Sequence, residues 1–304
     1  MTAPGPGIFD VSPRIRRALD SRCPVVGLET TLVTHGFPHP EGLAVAREIE
    51  AAVAAEGAEP ATIGVLDGRI GVGLAPADLE RLATSGRSVK LNPGNLAAHV
   101  ASGCPGSTTV AATVYVAQAI GIRIVATGGI GGVHRGAGES RDVSSDLTAL
   151  ARCPVVVVCA GAKAVLDLPA TLETLETLGV PVLGFGTDQF PAFYGRESGL
   201  ALDRRFDDMA ELARAVQVHL ALGTGTGVLV ANPIPREHEL PRAVWQPAID
   251  VAVSEAGKLG IRGRDVTPFL LERLRHLTEG ASAFSNRALL VNNARVAARL
   301  ASAG

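Results

Sequence analysis

Lysine is nearly missing from this 304-residue chain: of 28 basic residues, only Lys90, Lys163 and Lys258 are lysines. Compositional bias towards arginine is the plain cause. Under such a bias each surviving lysine asks for a reason, because arginine stays protonated whereas a buried lysine can lose its proton and act as an amine nucleophile. Aromatic residues are also scarce, at 4%, and the net charge is −2. With no basic stripe, nucleic-acid binding is disfavoured as a primary function. The four cysteines, Cys23, Cys104, Cys153 and Cys159, have no CxxC or metal-ligand spacing. Cys153 and Cys159 flank one apolar strand and read most simply as core residues. No apolar run is long enough to span a bilayer. The opening MTAPGPGIFD has neither a basic n-region nor an apolar h-region, so no secretion signal is expected. Together these absences imply a cytoplasmic protein with reduced thiols and no membrane partner.

What is present is 47% hydrophobic residues, ample for a sizeable core. Strand and helix patterns alternate along most of the chain, so a layered α/β fold is expected. Residues 1–22 read as a loosely held N-terminal arm with a short helical piece. Pro24 to Glu29 is a buried strand that ends on a carboxylate. Glu41 to Glu56 is an amphipathic helix with Val45, Ile49, Ala52 and Val53 on one face. Ala61 to Leu66 and Arg69 to Leu74 form a hairpin around Asp67-Gly68, which makes the sheet mixed. Thr108 to Ile120 is a helix of small and β-branched residues whose N-terminus is free to meet an anion. Asp207 caps a later helix. The rest is helical over about 241–257, 266–279 and 283–301. No linker or repeat interrupts residues 1–304, which read as a single domain.

The stretch from Thr127 to Lys163 organises the rest. A β-branched strand runs into a glycine-rich loop that holds His134, Arg135, Glu139, Arg141 and Asp142. A short helix from about Ser144, an apolar strand from Pro154 to Cys159, and then Lys163 follow. This sets a polar loop and a lysine just past the ends of two neighbouring strands, where open α/β sheets bind ligands. The loop is neither a Walker motif nor GxGxxG. Each candidate residue has a plain reading beside the chemical one. Glu29 is a solvated carboxylate or a general acid with a raised pKa. Asp142 or Ser144 caps the next helix, with Asp146 in its first turn, or a carboxylate there holds Mg²⁺ or Mn²⁺ with several waters. His35 and His134 sit in glycine-flanked loops and could pair on a metal, though their spacing does not demand it. Lys163 snorkels to the surface, or is an amine in an apolar pocket that attacks a carbonyl carbon.

The segments LETTLVTHG, GSTTVAAT, TGGIGGVHRGA, DVSSDL, VCAGAK, TDQFPAF, VANPIP, TPFLL and NRALLVNNA occur in that order. In them the chain resembles the pseudouridine-5′-phosphate glycosidases, the indigoidine synthase A-like family, over about residues 24–301. The resemblance implies a three-layer αβα core with a mixed β-sheet and a homotrimer. It implies cleavage of the C–C bond between uracil C5 and ribose C1′, giving uracil and ribose 5-phosphate, with a divalent metal, commonly Mn²⁺. Glu29 falls on the family's proton donor, Lys163 on its nucleophile, Lys90 on a substrate-contacting lysine and Asp142 on the metal ligand. Val110, Ser144, Ser145 and Asp146 fall on substrate contacts, and His134 and Asn286 on positions near the base or ribose. Three places depart from the family's usual residues: the segment LNPGNLAAHV after Lys90, where a more basic run is usual, Ser145, where alanine is common, and Arg141, where methionine is usual.

Three other readings compete. One is an O- or N-glycoside hydrolase that pairs Glu29 with Asp142 or Asp188. Another is a non-catalytic binder of phosphorylated sugars or nucleosides. The third keeps the chemistry but serves pigment synthesis.

Overall fold

The computed structural model describes residues 7–261, 263 and 266–304. Strand β1 (Phe9–Val11) leads into helix α1 (Pro13–Asp20), which Ser12 caps through the Ile15 N–H. Strand β2 (Val25–Leu28) is buried throughout and is followed by a π-helical turn, Leu32–Gly36, and then α2 (Glu41–Ala55). The hairpin β3 (Glu59–Leu66) and β4 (Arg69–Val72) turns on Asp67 and Gly68, both at positive φ (50° and 74°). That is the primed turn whose twist matches the flanking strands.

Helix α3 (Pro76–Thr84), β5 (Val89–Leu91), α4 (Leu96–Ala101) and β6 (Gly106–Thr108) come next, then α5 (Val110–Ile120) and β7 (Ile124–Ala126). A short α6 (Ala137–Ser140) lies in the loop before α7 (Ser145–Arg152) and β8 (Val156–Cys159). The chain continues through α8 (Leu168–Thr177), β9 (Val182–Phe185), β10 (Arg204–Phe206), α9 (Met209–Ala221) and β11 (Val228–Ala231). It ends with α10 (Arg242–Lys258), α11 (Val266–Leu277) and α12 (Ala281–Ala303).

The sheet runs β1-β4-β3-β2-β7-β8-β11-β9-β10, with β6 branching from β3 and β5 from β6. It is parallel apart from the pairings of β3 with β4 and with β6. The mixed sheet of the sequence expectation is therefore present, with helices on both faces: α2, α9 and α12 on one, α5, α7 and α8 on the other. Strands covered on both faces need apolar residues throughout, and β2, β8 and β11 have only buried residues. Cys159 belongs to this core, where burial pushes its thiol up to about 12.

The strand order fixes where a ligand can sit. From β2 the chain steps to β3 on one side, and from β7 it steps to β8 on the other, while β2 and β7 are neighbours. The crevice past the carboxyl ends of β2 and β7 is the topological switch point.

The structure corrects three expectations. Residues 1–6 of the supposed arm lie outside the described residues, but 7–22 are no loose arm. Phe9–Val11 pairs in register with Ile70–Val72, and Ile15 is fully buried. The short strand and the apolar side of α1 supply what the polar, arginine-rich sequence obscured. Asp208, not Asp207, caps α9, accepting from the Ala210 and Glu211 N–H groups, while Asp207 pairs with Arg205. Thr108 ends β6 rather than opening α5, whose cap is Thr109.

Candidate active site

Glu29 is the residue immediately after β2, and Thr127 the residue immediately after β7. The parallel register of the two strands brings them side by side, and the Thr127 hydroxyl donates to Glu29 Oε1. Beyond Thr127 the glycine loop bends across the strand ends. Gly131 lies so close to Ser144 and Asp146 that a Cβ there would come within 2.2 Å of Ser144 Oγ. Only a bare backbone fits, which is the physical use of that glycine. The Ile130 N–H donates to Gly161 O and the Lys163 N–H to Ile130 O, so the residues after β8 pair with the loop. Lys163 Nζ then donates to Gly129 O at 2.9 Å.

Asp146 knits the opposite wall. Its Oδ1 accepts from the Ala111 N–H (2.8 Å) at the start of α5, and its Oδ2 from the Gly131 N–H (2.7 Å). The anion expected at the N-terminus of α5 is thus in part a side chain of the protein itself. Ser144 caps α7, accepting from the Asp146 N–H. Residues 133–143 leave as an excursion closed by a bridge between Val133 and Val143. His134 and Asp142 stand at its neck, with His134 Nδ1 4.0 Å from Asp142 Oδ2.

These groups surround a cavity of about 450 Å³. Glu29, Lys90, Val110, Thr127, His134, Asp142, Ser144, Ser145, Asp146, Lys163 and Asn286 all line it, with His35, Asn92 and Asn95 beside Lys90. Thr267, Pro268 and Leu271 of α11 complete the wall.

Burial pushes the Glu29 carboxyl above the usual carboxylate range, against the pull of Lys163, the Thr127 hydroxyl and Lys90, with Asp146 adding to the rise. Burial lowers Lys90, and the Lys163 charge lowers it further, against Asp146, Glu29 and Asp142. Burial also lowers His134 and His35, keeping both imidazoles towards the neutral form. A carboxyl with a raised pKa beside an amine is a pairing suited to acid and nucleophilic catalysis.

A family profile described as "Indigoidine synthase A like protein" matches residues 14–303. The pseudouridine-5′-phosphate glycosidase of Paracoccus denitrificans (strain Pd 1222) is 54% identical over 300 residues, covering 98% of this chain and 99% of that protein. The enzyme of the same name from Solibacter usitatus (strain Ellin6076) is 52% identical over 291 residues, covering 96% of this chain and 97% of that protein. This chain belongs to the pseudouridine-5′-phosphate glycosidase family. The fold agrees. The prealnumycin C-glycosynthase AlnA, solved in complex with ribulose 5-phosphate, superposes with a TM-score of 0.91 at 37% identity, over 99% of this chain and 97% of that one. An indigoidine synthase A-like protein from Thermotoga maritima MSB8 superposes at 0.88 with 34% identity, over 97% of this chain and 95% of that one.

Within this glycosidase-family chain, the structure brings every residue singled out by the resemblance into one cavity. It leaves Lys258 exposed at the end of α10 and Asp188 exposed outside the cavity wall, so Asp188 cannot partner Glu29. Thr127 opens the organising stretch, yet no role of its own is legible for it in the sequence, although it stands at a strand end within TGGIGG. Among the described residues no three His, Cys, Asp or Glu side chains gather as a metal-ligand set. The Asp142 side chain is 31% exposed to the cavity, and no described group donates a hydrogen bond to its carboxylate. A hard divalent ion that keeps most of its waters needs little more than one such carboxylate, so Asp142 fits the metal that the resemblance implies. No helix of the described residues is long and apolar enough to cross a membrane.

Proposed function

We propose that this chain cleaves the C–C glycosidic bond of pseudouridine 5′-phosphate reversibly to uracil and ribose 5-phosphate, with Glu29 as proton donor and Lys163 as nucleophile. The observation that carries the reading is the convergence of Glu29, its pKa raised by burial, and the Lys163 amine on one cavity at the switch point of the sheet. The names of the relatives supply the substrate.

The residue types suit a bond that an ordinary carboxylate pair does not. A C-glycoside has no leaving oxygen to protonate, so the route of the O-glycosidases is closed. Glu29 gives its proton to the ribose ring oxygen as the C1′–O bond breaks and Lys163 Nζ bonds to C1′. The amine then loses a proton to the Glu29 carboxylate. The nitrogen lone pair next forms C=N as the C1′–C5 bond breaks and uracil C5 takes the proton that Glu29 has just received from the amine. Uracil departs, and water adds to the iminium and releases ribose 5-phosphate and the free lysine. The Gly129 carbonyl, which accepts from Lys163 Nζ, aims the amine. Lys90 supplies positive charge for the phosphate, while Val110, Ser144, Ser145, Asp146, His134 and Asn286 shape the pocket around sugar and base. Asp142 would hold Mn²⁺, whose waters would order the phosphate and the neighbouring loop. The same reading takes the working assembly as a homotrimer in the cytoplasm, as the resemblance implies.

Uracil release from pseudouridine 5′-phosphate, followed by absorbance with and without Mn²⁺, tests the reaction. Borohydride added during turnover should leave a ribose phosphate adduct on Lys163 in the mass spectrum. Lys163→Ala should give no adduct and lose activity by about 10³-fold or more. An adduct elsewhere, or an active Lys163→Arg enzyme, defeats the covalent route.

A further inference from the structure

Two segments that carry the family resemblance, VANPIP and NRALLVNNA, place asparagines that the reaction above leaves unused. Asn232 follows β11 directly and is 5% exposed; Asn293, on α12, is 0% exposed. Asn232 Nδ2 donates to Asn293 Oδ1 at 2.8 Å. Asn293 Nδ2 donates to Thr127 O (2.8 Å) and also reaches Gly128 O (3.3 Å). Amides are costly in an apolar core unless paired, and this pair spends its hydrogen bonds on one stretch of backbone. That stretch carries both catalytic contacts: the Thr127 hydroxyl on Glu29, and the Gly129 carbonyl on Lys163 Nζ. The Asn232 N–H also donates to Cys159 O, at the end of the strand that leads to Lys163.

We infer that the buried Asn232–Asn293 amide pair, acting through Thr127 and the Gly128–Gly129 backbone, is the positioning device that sets Glu29 against Lys163. This rests on the proposed roles of those two residues. Besides lining the cavity with Asn286, the last helix thereby supports the catalytic groups from behind through Asn293, which does not line the cavity. Thr127 is the arm that reaches Glu29. Its donated hydrogen bond favours the ionised carboxylate and so tempers the rise that burial imposes. Glu29 also faces Lys163, Lys90 and Asp146, and none of the variants below replaces these.

The test uses Asn293→Ala, Thr127→Val and Thr127→Ser in the full chain, with kcat, KM and the pH profile of uracil release measured for each. Displacing catalytic groups without removing them lowers kcat by about 10- to 100-fold and leaves KM within about twofold. Losing the Thr127 bond raises the Glu29 pKa, so the falling alkaline limb moves to higher pH in Asn293→Ala and Thr127→Val. Thr127→Ser, which keeps the hydroxyl, restores both. Should Asn293→Ala not fold, the two Thr127 variants decide. A carboxyl ¹³C NMR titration of Glu29 in wild type and Thr127→Val keeps this inference separate from the proposed function. A wild type that releases no uracil defeats the latter, whereas a Glu29 titration unmoved by Thr127→Val overturns the former. An unchanged kcat in a folded Asn293→Ala enzyme overturns it too.

Discussion

Glu29 does its work through a conflict of forces. Removing a carboxylate from water favours its protonated form, and here that cost exceeds the attraction of the lysines beside it. The outcome is an acid that still holds a proton where an exposed glutamate would have lost it. Glu29→Gln keeps the shape and the acceptor for Thr127 but has no proton to give. Its kcat should fall by about 10²- to 10⁴-fold with KM little changed. The pH profile gives an independent check. Wild-type turnover needs protonated Glu29, so it declines as the pH rises through the elevated Glu29 pKa. The residual rate of Glu29→Gln should lack that decline. A variant with near-normal kcat removes Glu29 from the mechanism. Lysine scarcity finds its explanation at this same scale. Lys90 and Lys163 both reach the cavity, while exposed Lys258 is the one that composition alone accounts for.

Elements were legible in the sequence where local chemistry decides them, and less so where pairing at a distance does. Asp207 and Asp208 show the boundary between the two. Both are acids at the mouth of α9, but Asp208 stands at the N-cap, where an extended backbone (ψ 134°) turns its carboxylate onto the first N–H groups, while the Asp207 carboxylate is taken by Arg205. Asp208→Ala should cost about 1 kcal/mol in denaturant unfolding. Asp207→Ala removes only an exposed ion pair with Arg205 and should change nothing measurable. Equal losses from the two would refute the cap assignment. The β3–β4 hairpin and the α2 stripe were read correctly because turn residues and helical period are local signals. Three-residue β1 and β10 were missed because each is defined by a neighbouring strand, Arg69–Val72 for one and Val182–Phe185 for the other. For the same reason the sequence offered Glu29 and Lys163 as separate candidates. Their union depends on the β2–β7–β8 register, and without that register no residue type points to Thr127 or Asn293 as their support.

On the scale of the whole molecule, the sheet concentrates catalytic groups at one crevice, and that concentration should weaken the fold there. A carboxyl whose folded pKa lies above its unfolded value, here about 4.5, makes stability depend on pH in a definite direction. Below that value Glu29 is protonated in both states and folding bears no cost from its charge. As the pH rises, the unfolded chain gives up the proton more readily than the folded one, and stability declines until the folded-state pKa has been passed. Glu29→Gln stays neutral at every pH and escapes this loss. Although far less active, it should therefore melt at a higher temperature than wild type at neutral pH, and the difference should close as the pH approaches about 4.5. Thermal denaturation of both proteins across that range measures it. If wild type melts at the higher temperature at neutral pH, the attraction of Lys163 outweighs burial. Glu29 then rests ionised in the free enzyme and cannot be its resting acid.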